Sequence, residues 1–173
     1  MLFCKKLSVC LVILFLPGCG FQPIFGSGTS SIIKGEMQYI EISPIANKIG
    51  QNLRNQLVQN IQPLGKSKTT KYRLNVRLTE NKQRLAIKKS EIATRANLSF
   101  IANYEIFSKA SGTLLTQGTS HMISSYNILT HTYATLIAEK DARNRAIREI
   151  GGDITSKVAS FFRLNKDKIK SFK

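Results

Sequence analysis

The chain is poor in the residues that build metal and redox sites. Its 173 residues include no Trp, two His and three Cys. Zinc sites take three or four ligands, mostly His and Cys, so His121 and His131 cannot supply a three-His site. The cysteines stand at positions 4, 10 and 19, all close to the N-terminus. We therefore predict neither a metal ion nor another cofactor.

Carboxylates are also scarce. Ten Asp and Glu stand against 26 Lys and Arg, which gives a formal net charge of +16. No Gly-rich phosphate loop, serine nucleophile elbow or paired-acid motif occurs in the sequence. Near the C-terminus, four carboxylates alternate with basic residues along one predicted helix, which is typical of a solvated helix face with i,i+4 ion pairs: Glu139, Asp141, Glu149 and Asp153. The sequence predicts that the protein is not an enzyme.

The N-terminal segment has the pattern of a secretory signal. Lys5 and Lys6 precede an apolar run from Leu7 to Leu16, which is shorter than the roughly 20 residues that span a bilayer. The tetrapeptide Leu16-Pro17-Gly18-Cys19 follows, and it resembles the bacterial lipobox. We therefore predict that residues 1–18 are a lipoprotein signal peptide and that Cys19 is the lipidated first residue of the mature chain.

Lipidation at Cys19 would fix several other properties. Cys4 and Cys10 would leave with the signal, so the mature chain would have one blocked thiol and no disulfide. Loss of Lys5 and Lys6 would lower the formal charge from +16 to +14. Residues 19–35 would be a tether that joins the lipid anchor to the domain. Gly20 follows the cysteine, as in lipoproteins forwarded to the outer membrane.

The remaining chain predicts one α+β domain over residues 36–164, with a basic tail at residues 165–173. Apolar residues make up 42% of the sequence, enough for a core and too many for a disordered chain. Period-2 patterns predict strands at residues 37–43, 71–79, 92–107 and 114–126. Apolar stripes with helical spacing predict helices at residues 47–62 and 133–164. Two helices packed on one face of a four-stranded mixed sheet, an α/β sandwich, would bury every apolar face.

The predicted open face of the sheet is polar and basic, with a few apolar side chains. Arg73, Arg77 and Arg95 alternate there with Asn residues and Glu105. Four apolar residues are expected among them: Ile101, Phe107, Leu115 and Ile123. Such a face suits a partner that is both apolar and anionic. The pair Gly151-Gly152 interrupts the last helix, which indicates either a kink or a close backbone contact.

Several segments together resemble the LPS-assembly lipoprotein family LptE, in its alphaproteobacterial form. Cys19-Gly-Phe-Gln-Pro-Ile-Phe-Gly26 is similar to the start of these proteins. Tyr72-Arg-Leu-Asn-Val-Arg-Leu78 and Ala93-Thr-Arg-Ala96 match in order and spacing. So do Ser125-Tyr126, Tyr133-Ala134 and the segment 138–142. The resemblance covers essentially the whole mature chain.

The resemblance implies an outer-membrane protein that plugs and helps assemble the β-barrel LptD. It also implies binding of lipopolysaccharide and its delivery to the outer leaflet. A basic loop between the second and third strands would contact the lipid A phosphates, because Arg and Lys bind phosphate directly. With the adjacent Arg95, the residues expected to bind are Lys82, Arg84, Lys88, Lys89 and Arg95.

Two other functions are also consistent with a strongly basic lipoprotein of this size. A basic chain is typical of nucleic-acid binding, but a secreted lipoprotein meets little nucleic acid, so we expect no such partner. A stand-alone periplasmic lipid-transport or envelope-maintenance lipoprotein, like the auxiliary lipoproteins of ABC-type transporters, has a similar size and α/β composition. Co-purification of a large outer-membrane barrel would separate this alternative from the LptE-like function.

The lipobox leads to a direct test. Cys19→Ser is expected to leave a full-length precursor that incorporates no labelled fatty acid, because the acceptor sulfur is gone. Mass spectrometry and metabolic labelling of the membrane fraction measure both properties. A Cys19→Ser protein that is still cleaved and acylated would refute the lipobox interpretation.

Overall fold

The computed structural model describes residues 35–63, 65, 67–86 and 93–165. In chain order these form β1 (Ile40–Ile42), α1 (Asn47–Ile61), β2 (Tyr72–Ala86), β3 (Ala93–Ser108), β4 (Leu114–Asn127) and α2 (Thr132–Leu164). Both helices pack on one face of the sheet, which confirms the predicted fold class. The predicted signal peptide, Cys19 and residues 166–173 of the basic tail lie outside the described residues.

The sheet is four-stranded with the order β1-β2-β3-β4. Strand β1 runs parallel to β2, whereas β3 runs antiparallel to both of its neighbours, β2 and β4. Alternate side chains of a strand point to opposite faces, so the even-numbered residues of β3 enter the core. Leu98, Phe100 and Ile106 there are fully buried.

The helices cover this apolar face with the stripes expected from the sequence. Leu53 and Leu57 of α1 are fully buried, and Gln62 after its last turn donates to the Ile40 carbonyl of β1. The buried stripe of α2 runs along most of the helix and comprises Ala142, Ala146, Ile150, Ile154, Val158 and Phe162. Within the described residues, no helix combines the length and the hydropathy needed to cross a membrane.

Two strands differ in length from the prediction. Strand β1 has three residues because a helical turn at residues 35–37 precedes it. Strand β2 continues to Ala86, so Lys82 and Arg84 lie in a strand and not in the predicted loop. The apolar alternation of β2 ends at Leu78 because polar Glu80, Lys82 and Arg84 follow on the helix side. The partners of Glu80 and Lys82 come from α2, which local periodicity cannot show.

Strand β4 corrects one assignment on the open face. Leu115 was predicted to lie on the open face, but it packs against the core cluster on the other side of the sheet. The reason is a shift in the β3–β4 register between Ile106 and Phe107, after which Phe107 pairs with Leu114. Farther along β4 the small residues lie on the helix side as expected, and Ser120 and Ser124 are buried. Lys157 of α2 reaches across to the Thr119 carbonyl at 2.8 Å.

The pair Gly151-Gly152 marks a close contact between the two helices. Helix α2 continues through both residues. A Cβ atom on Gly151 would lie 2.8 Å from Cγ of Gln56 in α1, whereas a Cβ atom on Gly152 would meet nothing within 4 Å. Gly151 therefore permits the approach of α1.

This difference predicts opposite outcomes for two neighbouring substitutions. Gly152→Ala is expected to raise the free energy of unfolding by about 0.5–1 kcal/mol, because Ala is the better helix former and the site is open. Gly151→Ala is expected to lose that gain, since the Gln56 side chain must move aside. Urea unfolding of the two variants measures the difference. An equal stabilisation by both would contradict the close packing of α1 on Gly151.

Candidate functional site

One end of the domain collects charged and exposed apolar side chains. We call it the distal end and define it as residues 80–86 of β2, 93–97 of β3, 125–127 of β4 and 132–143 of α2. The strands meet there because Leu85 pairs with Arg95, and Arg95 pairs with Asn127. The Ile128 amide donates to the Thr94 carbonyl at 3.0 Å, so the chain leaves β4 beside β3 before α2 begins.

Glu139 is the centre of an ion-pair cluster at the distal end. Its Oε2 accepts from Nζ of Lys82 at 2.8 Å and from the hydroxyl of Tyr126 at 2.9 Å. Its Oε1 accepts from Arg143, whose Nε also donates to Glu80 at 2.8 Å. The cluster therefore joins β2, β4 and the second and third turns of α2.

The cluster changes the protonation behaviour of its members. Burial by itself raises the pKa of Glu139, but hydrogen bonds from Lys82 and Tyr126 and the charge of Arg143 outweigh burial and hold that pKa below its ordinary value. The hydrogen bond to Glu139 raises the pKa of Lys82. Both groups are therefore charged at neutral pH and stabilise each other.

Glu139 corrects the prediction of a solvated acidic face on α2. Its side chain is 10% exposed, and it faces the sheet. Asp141 and Asp153 follow the prediction, since they form i,i+4 pairs with Arg145 and Lys157. No local pattern distinguishes Glu139 from these residues, because its partners Lys82 and Tyr126 are distant in sequence.

The predicted phosphate-binding residues are distributed over two faces. Lys82 and Arg84 lie on the helix side of β2, opposite Leu98 and Ala96 of β3. Arg95 is exposed on the other side of the sheet. Lys82 is held by Glu139, whereas Arg84 is exposed. Lys88 and Lys89 lie outside the described residues.

Four apolar side chains are exposed beside these cations. They lie in the segment between β4 and α2 and in the first turns of α2, with exposed fractions of 48–77%: Leu129, Tyr133, Leu136 and Ile137. The sequence analysis assigned these four residues to no surface. One available signal was the absence of Lys, Arg, Asp and Glu from residues 110–138. Tyr133, Leu136 and Ile137 are neighbours on the surface of α2, because they are three and four residues apart, and exposed apolar patches are typical of interaction surfaces.

Thr135 fixes the loop that carries part of this patch. Its Oγ1 accepts from the Leu129 amide at 2.9 Å and donates to the Leu129 carbonyl at 3.2 Å. These bonds close the loop onto the first turn of α2. Leu129 is thereby held close to the start of α2.

The groups available at the distal end are exposed cations and exposed apolar side chains. Guanidinium groups pair with phosphate or carboxylate oxygens, and the apolar patch offers a surface for hydrocarbon. In the part of the chain that the structure describes, no three His, Cys, Asp or Glu side chains come together to hold a metal. Two shallow hollows of about 290 Å³ each lie at the other end of the open face and share Asn75.

The fold is shared with bacterial lipoproteins of known structure. A candidate lipoprotein of Caulobacter crescentus superposes with a TM-score of 0.63 at 22% identity, covering 77% of this chain and 97% of that one. A minor lipoprotein of Acinetobacter baumannii gives 0.59 at 17% identity, with coverages of 70% and 90%. An uncharacterised lipoprotein B of Nitrosomonas europaea gives 0.55 at 12% identity, with coverages of 72% and 83%. No family model and no curated protein sequence matches the chain.

The ion-pair cluster predicts a pH-dependent stability. Glu139→Gln is expected to lower the free energy of unfolding at neutral pH by about 1–3 kcal/mol, because Lys82 and Arg143 lose their common anionic partner. The folded-state pKa of Glu139 lies below its ordinary 4.5. Its contribution is therefore present above pH 4.5 and is lost as the pH falls through the folded-state value.

Urea unfolding across the acidic range measures this dependence. Below pH 4.5 the wild-type chain is expected to lose more stability than Glu139→Gln, whose neutral amide does not titrate. Asp141→Asn is the matched control, because its pair with Arg145 is exposed and contributes less than about 1 kcal/mol. Identical acid profiles for the wild type and Glu139→Gln would show that the cluster does not stabilise the fold.

Proposed function

We propose that the chain is an outer-membrane lipoprotein, anchored through Cys19, that binds lipopolysaccharide and plugs and helps assemble an LptD-like β-barrel. In this role it faces the periplasm and the barrel lumen and delivers glycolipid toward the outer leaflet. The observation that carries the proposal is the distal end, where exposed cations of β2 and β3 lie at the same end of the domain as an exposed apolar patch. Lipid A presents the matching chemistry, with phosphates beside acyl chains.

The members of the distal end have different tasks in this proposal. Arg84 and Arg95 are exposed and offer planar donor forks to phosphate oxygens. Lys82 is already paired with Glu139 and acts chiefly by holding α2 against β2. Tyr133, Leu136 and Ile137 contact acyl chains. Lys88 and Lys89 follow β2 in the sequence and are candidates for phosphate binding on that ground alone.

The open face of the sheet supports the plug role. The lumen of an outer-membrane barrel is polar, and hydrogen-bonded polar pairs cross this face. Thr119 donates to the Asn103 side chain at 2.8 Å, and Ser125 donates to the Asn97 side chain at 2.7 Å. The lipoproteins that share the fold are compatible with an anchored protein of this kind.

Binding of glycolipid is tested with two charge-reversal pairs of equal charge change. Arg84→Glu with Arg95→Glu is expected to weaken binding of purified lipopolysaccharide by about tenfold or more, since charge-assisted bonds to phosphate contribute about 1.5–3 kcal/mol each. The salt dependence of binding should also flatten. Lys68→Glu with Arg148→Glu is the control, because both cations are exposed and lie outside the distal end. An equal loss of lipopolysaccharide binding in the two pairs would show that net charge alone causes the effect and that the distal end is not the binding site.

Association with a barrel is tested in membranes of the bacterium that makes the protein. The LptD-like barrel is expected to co-purify with the full-length chain. Glycolipid binding without a barrel would instead support the stand-alone lipid-transport lipoprotein. Loss of both would refute the proposed function.

A further inference from the structure

Strand β4 forms a long edge of the sheet. Over the described residues no strand lies beyond it, and it extends for 14 residues from Leu114 to Asn127. It contains no charged residue and no Pro, although Lys, Arg, Asp and Glu make up 21% of the whole sequence. By comparison, β2 carries Arg73, Arg77, Glu80, Lys82 and Arg84. Natural edge strands are usually protected by charges, Pro or short length.

Two contacts from α2 show which backbone groups of β4 point outward. Lys157 donates to the Thr119 carbonyl at 2.8 Å, and Arg145 donates to the Ser125 carbonyl at 3.4 Å. The pairing of β4 with β3 is in uninterrupted register from Thr116 to Asn127. Because backbone groups alternate in direction along a strand, the amides and carbonyls of His121 and Ile123 point away from β3 as well.

The edge also belongs to the apolar, uncharged part of the surface. Residues 110–138 contain six of the eight large apolar side chains that are exposed in the described chain. Ile123, at the middle of the edge, is 51% exposed. Depletion of charge together with exposed apolar side chains is the composition of an interface core. Over the described residues, helix α2 protects this edge only through the long side chains of Lys157 and Arg145, which contact the Thr119 and Ser125 carbonyls.

We propose that β4 binds an extended segment of another protein, which adds to the sheet as a fifth strand. The segment itself carries no charge along β4, and the protein that contains it has a net negative charge, which complements the +14 predicted for the mature chain. A second copy fits poorly. Joining two β4 edges would bring together two strongly cationic chains, with Arg145 and Lys157 of each α2 at the junction.

The backbone direction is tested on the purified chain by amide hydrogen exchange. The amides of Thr119, His121 and Ile123 are expected to exchange about tenfold or more faster than those of Ser120, Met122 and Ser124, which face β3. Equal protection of the two sets would mean that the edge is already covered, and would overturn the proposal.

The occupant is tested by site-specific photo-crosslinking in cells that produce the full chain. Benzoylphenylalanine at Gln117, on the edge strand, is expected to give one heteromeric adduct, whose crosslinked peptide is an uncharged segment of an acidic protein. The same probe at Asn81, two strands away, is the positional control and is expected to give little of this heteromeric adduct. An adduct with a second copy, or no adduct from Gln117, would overturn the proposal.

A matched pair of substitutions separates pairing through the backbone from contact through side chains. Ile123→Pro removes one outward amide, which edge strands tolerate, and is expected to reduce the Gln117 adduct by about tenfold or more. Ile123→Thr keeps the amide and should retain most of the adduct. Thermal unfolding confirms that both variants fold. An adduct undiminished by Ile123→Pro while the variant is folded would exclude strand addition.

The crosslinking outcomes distinguish failure of the edge proposal from failure of the proposed function. An acidic partner other than a barrel supports strand addition at β4 even where no barrel co-purifies. Conversely, a barrel that co-purifies equally with Ile123→Pro and Ile123→Thr leaves the plug role intact, whereas a Gln117 adduct that is undiminished in folded Ile123→Pro overturns the edge proposal.

Discussion

Glu139 is the side chain through which α2 is tied to the extended part of β2. Beyond Leu78 the helix side of β2 presents Glu80, Lys82 and Arg84, and a purely apolar α2 would leave Glu80 and Lys82 without their ion-pair partners. Glu139 and Arg143 provide the complementary charges, so side chains of α2 reach β2 while the helix itself packs mainly over β4. A buried carboxylate with three donors replaces the hydrophobic contacts that hold the rest of the helix.

This arrangement determines what the domain presents to its surroundings. In the turn of α2 before Glu139, Leu136 and Ile137 are both exposed. Thr135 holds Leu129 beside them. The distal end thereby combines cations from the strands with apolar side chains from the helix. A surface that is both apolar and cationic suits a glycolipid better than it suits either a nucleic acid or a neutral membrane.

The edge of β4 is a second surface with a different character. It has neither the charges of β2 nor the short length of β1, which is three residues long. The two surfaces share the uncharged segment 110–138 but use different groups, since the distal end offers side chains and the edge offers backbone amides and carbonyls. The two proposals therefore assign different groups of the domain to a lipid and to a protein.

Most of the architecture was predictable because it follows from local periodicity. The two helices, the four strands and their order agreed with the sequence prediction, since each element carries one apolar face with its own period. The contact at Gly151 was one of two alternatives that the sequence left open. The length of β2 was missed because residues 79–84 are all polar and show no alternation of apolar and polar side chains. Leu115 was placed on the wrong face because the sequence of one strand does not reveal a shift in its pairing register.

The sequence by itself determined the elements, the side of the sheet that is buried and the excess of positive charge, since composition and period depend only on neighbours along the chain. The tertiary structure alone decided which charges are paired. Glu139 and Lys82 are 57 residues apart, and only the folding of α2 across β2 makes one a buried anion and the other its partner. The free edge of β4 also emerges only in the assembled sheet, because a strand becomes an edge through the absence of a neighbour.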